Sequence, residues 1–142
     1  MEVSDVRRRL RAAMEDAKRR SAERRSRADE ASRAWEDAMT TTAVPAVQTL
    51  ASALVAEGHR FKVLTPAGSV RLALERSAEE FVELALDTER DEPALMVRST
   101  RGRGRRIVSS ERVARSGAGV AAMTQEDVVG VLLDELAPFI ER

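Results

Sequence analysis

The first forty residues place the tightest constraint on the fold of this chain. Between Ser4 and Met39 the sequence has no proline and no glycine, and charged residues and good helix formers dominate it. One uninterrupted helix is therefore predicted here. At about 1.5 Å per residue it would be on the order of 50 Å long, which exceeds the width of a small domain. Part of the helix should project.

A weak apolar seam follows this predicted helix at alternating spacings of four and three residues, the pattern of a two-stranded coiled coil. It consists of Leu10, Met14, Ala17, Ser21, Arg24, Ala28, Ala31, Trp35 and Ala38. Alanine buries little area, so the seam predicts a close-packed helical pair or a partner groove rather than a free-standing zipper. A single solvated helix lying on its own domain is the alternative.

We expect this seam to bind a partner protein. Trp35 is the predicted anchor, because a large aromatic side chain among alanines supplies most of the area that can be buried. Packing of Trp35 on its own domain is the alternative. The predicted partner-binding residues are Leu10, Met14, Ala28, Ala31, Trp35 and Ala38.

The three threonines Thr40–Thr42 are expected to end the first helix, because such residues favour helix caps over helix interiors. A second helix, with Pro45 in its first turn and Gly58 as its stop, would then complete a helical hairpin. The predicted organisation is a helical arm over residues 1–42, for which the seam offers a coiled coil as one form, and an α+β domain over residues 43–142.

After Gly58 the apolar period changes from helical to two. Runs at 61–64, 70–75, 95–100 and 106–110 predict strands, with Val70, Leu72 and Leu74 facing inward. The run at 80–87 is interpreted as a strand, although the capping-box pattern at 77–80 also permits a helix.

The chain then reads as a loop at 115–119 and an amphipathic helix that starts at the capping box Thr124–Asp127. This helix is expected to be cut short or kinked at Pro138. The predicted fold class is α+β: a long N-terminal helix in a helical hairpin, a four- to five-stranded antiparallel meander, and a C-terminal amphipathic helix.

Composition gives little support to an enzyme. The chain has no cysteine, no tyrosine and one histidine, His59, so thiolate ligands, disulfides and the common hydrolytic triads lack their parts. The carboxylates between Glu75 and Glu92 are typical of a solvated strand face and turn, and the glycines Gly117 and Gly119 of a linker. No catalytic residue, metal site or cofactor is predicted.

Two arginine clusters stand out in a chain whose 24 basic and 24 acidic residues balance. Each could grip phosphates, so the alternative function is sequence-nonspecific nucleic-acid binding. Interleaved aromatics and asparagine are both absent, which argues against base reading. The possible phosphate-binding residues are Arg19, Arg20, Arg24, Arg98, Arg101, Arg103, Arg105 and Arg106.

The expected function is a non-enzymatic interaction or assembly module: an adaptor, small subunit or chaperone-like protein. It would self-associate or dock on a larger protein through its N-terminal helix. The expected partner is protein, as a homo-oligomer or within a larger complex, with nucleic acid as the alternative and no membrane. No apolar run approaches the roughly 18 residues that span a bilayer, so a cytoplasmic location is expected.

Overall fold

The computed structural model describes residues 1–141 and has the predicted α+β architecture. In chain order its elements are α1 (Val3–Ala38), a π-helical turn (Met39–Ala43), α2 (Val44–Ala56), β1 (Phe61–Leu64), β2 (Ser69–Leu74), β3 (Ser77–Asp87), β4 (Ala94–Arg103), β5 (Arg106–Ser116), a 3-10 helix (Gly117–Ala122) and α3 (Gln125–Ile140). The five strands form one antiparallel meander in the order β1-β2-β3-β4-β5.

The predicted helical hairpin is wrong, because α1 and α2 form one unbroken helix through the π-helical turn. The Val44 N–H donates to the Met39 carbonyl, five residues back. Pro45 explains this wider turn: it has no N–H to donate to the Thr41 carbonyl, and its ring would clash with that carbonyl in a regular α-helix.

The threonines do not end the helix either. The Thr41 hydroxyl donates to the Asp37 carbonyl at 3.0 Å, so it finds a partner inside the helix. Ala43 and Val47 are fully buried in the core on either side of Pro45. Core packing on both sides of the turn therefore holds the helix on one course. The predicted division at residues 42 and 43 stays a prediction, although part of α1 belongs to this core.

The predicted strand at 80–87 is confirmed, and it begins three residues earlier than predicted, as β3 over Ser77–Asp87. β3 pairs with β2 on one side and with β4 on the other, so residues 81–85 have ladder partners on both sides. The capping-box pattern at its start is overridden by this pairing. β4 and β5 both extend beyond the predicted runs and pair from Ala94–Ser116 at one end to Arg103–Arg106 at the other.

The core lies between one face of the sheet and the helices. The predicted inward residues Val70, Leu72 and Leu74 are all buried there. The ring of Phe61 on β1 meets that of Phe139 on α3 edge to face, with centroids 6.3 Å apart. The other helical residues of this core include Trp35, Ala38, Ala46, Val47, Leu50, Leu54, Val128, Leu132 and Leu136.

The segment after β5 is more ordered than the predicted loop. β5 runs to Ser116, and the 3-10 helix follows at once. The Gly117 N–H donates to the Pro93 carbonyl at 2.7 Å, and a Cβ at Gly117 would lie only 2.7 Å from that oxygen. A glycine is needed here for close packing, so the linker interpretation of Gly117 is wrong.

The capping box of α3 is present as predicted. The Thr124 N–H donates to the Asp127 carboxylate, and the Asp127 N–H donates to the Thr124 hydroxyl. These contacts with Thr124, with a smaller contribution from Arg115, hold the pKa of the Asp127 carboxyl below its usual range. Pro138 does not stop the helix, which continues to Ile140.

The continuous helix Val3–Ala56 is long enough, and apolar enough over part of its length, to cross a membrane. The core helix of a soluble protein meets the same criteria. In α2 the buried residues Val47, Leu50 and Leu54 belong to the core against the sheet, which accounts for the apolar stripe. The cytoplasmic location stays a prediction.

We predict that Leu136→Ala lowers the free energy of unfolding by about 2–5 kcal/mol, because it removes a fully buried side chain from the core. Leu133→Ala, one turn earlier on α3 and 49% exposed, is the matched control and should change it by less than about 0.5 kcal/mol. Urea denaturation of both variants measures the difference. Equal effects would contradict the packing of α3 described above.

Candidate partner-binding surface

The N-terminal part of α1 projects from the domain. Residues 3–26, called the arm below, are exposed except for the half-buried Asp5 and Ser21. At about 1.5 Å per residue the arm is about 36 Å long. Residues after the arm approach the domain: Arg27 pairs with Glu92 in the β3–β4 turn, at 3.6 Å. The helix is thus held at its C-terminal half and free at its N-terminal half.

The predicted seam is divided between these two halves. Ala31, Trp35 and Ala38 are buried, and Ala28 is half-buried. The Trp35 side chain is only 4% exposed, and its indole Nε1–H donates to the Gly68 carbonyl in the β1–β2 turn at 2.9 Å. The alternative considered for Trp35 therefore describes this structure: it anchors α1 to its own domain.

The arm carries the exposed half of the seam. Leu10 and Met14 are more than half exposed, and Val3 and Val6 are also open to solvent. Sequence reasoning missed the two valines, although Val3 lies seven residues before Leu10 and so continues the seam. Large apolar side chains in a row on a soluble surface are typical of an interaction site.

Charges on the arm are sorted by face. One side of the seam is lined by the cations that come one residue after a seam position: Arg11, Lys18 and Arg25. The other side carries Arg20, one residue before Ser21 of the seam. The acidic residues of the arm lie away from the seam, on the outer face of the helix. Two of them form ion pairs three residues apart with outer arginines, Asp5 with Arg8 and Asp16 with Arg19. Of the residues predicted to bind phosphate, Arg19 is therefore already ion-paired. Arg24 lies at a seam position.

The second arginine cluster lies on the β4–β5 hairpin, and it is not uniform. Arg98 lies on the face of the sheet opposite Val97 and Leu84 of the core, and it pairs with the buried carboxylate of Glu83 at 3.2 Å. Arg71 pairs with the same carboxylate at 2.7 Å and lies over the ring of Phe81, 3.8 Å from its centre. Arg98 thus belongs to a network across β2, β3 and β4.

The tip of the hairpin carries the remaining arginines. Arg103, Arg105 and Arg106 are exposed around Gly104, whose φ of +64° forms the turn. Arg101 is half-buried. Within residues 1–141 no salt bridge joins any of these four side chains to a carboxylate, and the three exposed ones carry their charge into solvent.

The structure does not bring the two arginine clusters together. α1 meets the sheet at the β3–β4 turn, where Arg27 approaches Glu92. The hairpin tip lies at the opposite end of β4, which has ten residues and is about 33 Å long. One phosphate backbone cannot contact both clusters as a single compact site.

The other side chains that could bind a metal or a ligand do not form a group in the described structure. Among residues 1–141 no group of three or more His, Asp or Glu side chains could hold a metal ion. His59 is half-buried just after α2 and lines a cleft with Arg60, Glu75 and Arg76. No contact of these described side chains indicates a ligand there.

Comparison of the chain with protein-family models, with curated proteins and with solved structures found no match.

We predict that Trp35→Ala lowers the free energy of unfolding by about 3–5 kcal/mol, because it removes a buried anchor and leaves the Gly68 carbonyl without its donor. Leu10→Ala, at the exposed end of the same seam, should change it by less than about 0.5 kcal/mol. Thermal or urea denaturation gives both values. A stability loss of similar size for Leu10→Ala would show that the arm packs on its own domain.

Proposed function

We propose that this chain is a non-enzymatic assembly module of the cytoplasm, an adaptor or small subunit that docks on a second protein chain through its arm. One observation carries the proposal. The arm presents Val6, Leu10 and Met14, between 46% and 56% exposed, on a helix whose other half is built into the core.

Rigid attachment supports a docking role. A helix that is free at both ends would lose conformational entropy when it binds, whereas this arm continues a helix already ordered by Trp35, Ala38 and the core residues of α2. Because much of the ordering precedes binding, a modest apolar seam can contribute a larger share of its contact energy to affinity. The arm then sets the distance and direction between the domain and the partner.

Either a second copy of the chain or a different protein could occupy the seam. Both uses were expected from the sequence, and both bury the same side chains. Alanine, serine and arginine fill the rest of the arm's seam, at Ala17, Ser21 and Arg24. Close helix packing is therefore available, but the area buried is small, so affinity must also depend on the charges beside the seam.

The second candidate function is nucleic-acid binding, and the hairpin tip is the observation that favours it. Arg103, Arg105 and Arg106 project around one tight turn, and in the described part of the chain no carboxylate neutralises them. Such a tip could contact phosphates without reading bases. It ranks second because it leaves the exposed apolar seam of the arm unused.

A photo-activated crosslinking side chain placed at single positions in the full chain distinguishes the two candidates in the native cell. At Leu10 or Met14 we expect a discrete adduct that protease removes and nuclease does not. At Arg8, on the outer face of the same helix, this adduct should be much weaker, and position 105 reports on the hairpin tip.

Two results would contradict the proposal. The first is the absence of a discrete protein adduct from Leu10 and Met14 while the protein is folded and abundant. The second is a nuclease-sensitive adduct at position 105 that dominates over every protein adduct from the arm, which would support the second candidate. A protein adduct of twice the chain's 15.6 kDa mass would identify a second copy as the partner.

A further inference from the structure

We propose that the arm binds an acidic amphipathic helix of a different protein. The inference rests on the proposed docking function and adds the chemistry of the partner. It follows from three features of the arm: the width of its apolar stripe, the charges along both edges of the stripe, and the position of its acidic residues.

The stripe has the width of a helix–helix seam. At about 100° per residue, Val3, Val6, Leu10 and Met14 fall within a sector of about 80°, and Ala17 and Ser21 lie in the same sector. A membrane-surface helix needs a broader face with bulky aromatic or aliphatic residues, and the arm contains no aromatic residue. A single narrow helix fits this sector better than a flat surface does.

The charges along the edges of the stripe disfavour pairing with a second copy of the arm. One edge carries Arg11, Lys18 and Arg25, and the other carries Arg20, with Arg27 beside the end of the arm. In a parallel pair the first edge of one helix meets the second edge of its partner, and in an antiparallel pair like edges meet. Both orientations bring cations together and no carboxylate opposite them, so self-pairing is repulsive.

The acidic residues of the arm cannot relieve this repulsion. Asp5, Glu15, Asp16 and Glu23 all lie on the outer face, away from the stripe, and Asp5 and Asp16 are ion-paired there. The cations at the edges are thus left for the partner. Arg24, and Arg7 between Val3 and Leu10, add positive charge within the seam itself.

A partner with carboxylates on both sides of its own apolar seam satisfies every feature of this surface. Leu10 and Met14 would pack between its apolar residues, while its glutamates or aspartates would meet Arg11, Lys18, Arg20 and Arg25. Phosphates would match the cations but not the apolar stripe. The segregation of charges to the edges of that stripe favours a helix over nucleic acid.

Two synthetic peptides of about four heptads provide the probe. Both carry leucine at the seam positions; one carries glutamate along both edges and the other carries lysine. Isothermal titration calorimetry, with each peptide added to the full chain, measures affinity and stoichiometry. We expect one glutamate peptide per chain, with affinity that falls steeply between about 50 mM and about 500 mM salt, and no binding of the lysine peptide.

Matched variants locate the charges that matter. Neutralising Lys18 and Arg20 at the edges (Lys18→Gln with Arg20→Gln) should weaken glutamate-peptide binding about fivefold or more. Neutralising Arg8 and Arg19 on the outer face (Arg8→Gln with Arg19→Gln) removes the same net charge and should change affinity less than twofold. Circular dichroism of each variant checks that helix content is preserved.

The inference would be overturned by equal binding of both peptides, by equal losses in the two double variants, by no binding of the glutamate peptide, or by tighter binding of duplex DNA than of that peptide. Its failure can be told apart from failure of the docking function. If the glutamate peptide does not bind but light scattering shows arm-dependent dimers of the chain, the arm still docks and only the partner is wrong.

Discussion

Burial of Trp35 against the β1–β2 turn is the contact on which the rest of this structure depends. The indole bonds to the Gly68 carbonyl, and Ala31 and Ala38 allow the helix to pack closely on either side. Because α1 continues without a break into α2, the same packing connects the core to the arm. The direction of the arm is therefore set by the core. Trp35 extends into α1 the core packing that α2 provides, so the orientation of the helix toward the sheet is set over the whole stretch from Trp35 to Leu54.

The sequence allowed the elements of the domain to be predicted, because their signals are local. Alternating apolar residues at Val70, Leu72 and Leu74 determine a half-buried strand, and Thr124 with Asp127 determines a helix start. The course of the chain between α1 and α2 was not predictable in this way. Thr40–Thr42 and Pro45 indicate a break by their propensities, but burial of Ala43 and Val47 outweighs them, and a π turn accommodates the proline.

The sequence also predicted the candidate partner-binding surface only in part. The seam spacing correctly marked one face of α1, but spacing alone does not distinguish a residue that packs on its own domain, such as Trp35, from one that faces solvent, such as Leu10. Only the position of the β1–β2 turn decides between them. Arginine counting likewise grouped Arg98 with Arg103, although the register of β3 and β4 places Arg98 beside the buried Glu83.

Acidic and basic residues are equal in number in this chain, but they are distributed unevenly over its surface. On the face of the sheet opposite the core, Arg71, Glu83, Arg98 and Glu111 alternate across four strands, and Glu83 forms ion pairs with both Arg71 and Arg98. On the arm the charges are segregated instead, which leaves one face cationic.

The central claim is that an unbroken helix carries this face away from the core. The chain has no native cysteine, so cysteines introduced at Arg9 and Gln48 would be the only sites that take a spin label. Double electron–electron resonance then measures the distance between the two labels. An unbroken helix predicts one narrow distribution centred at about 58 Å, whereas a distance of about 35 Å, as in a helical hairpin, or a broad distribution would contradict the account.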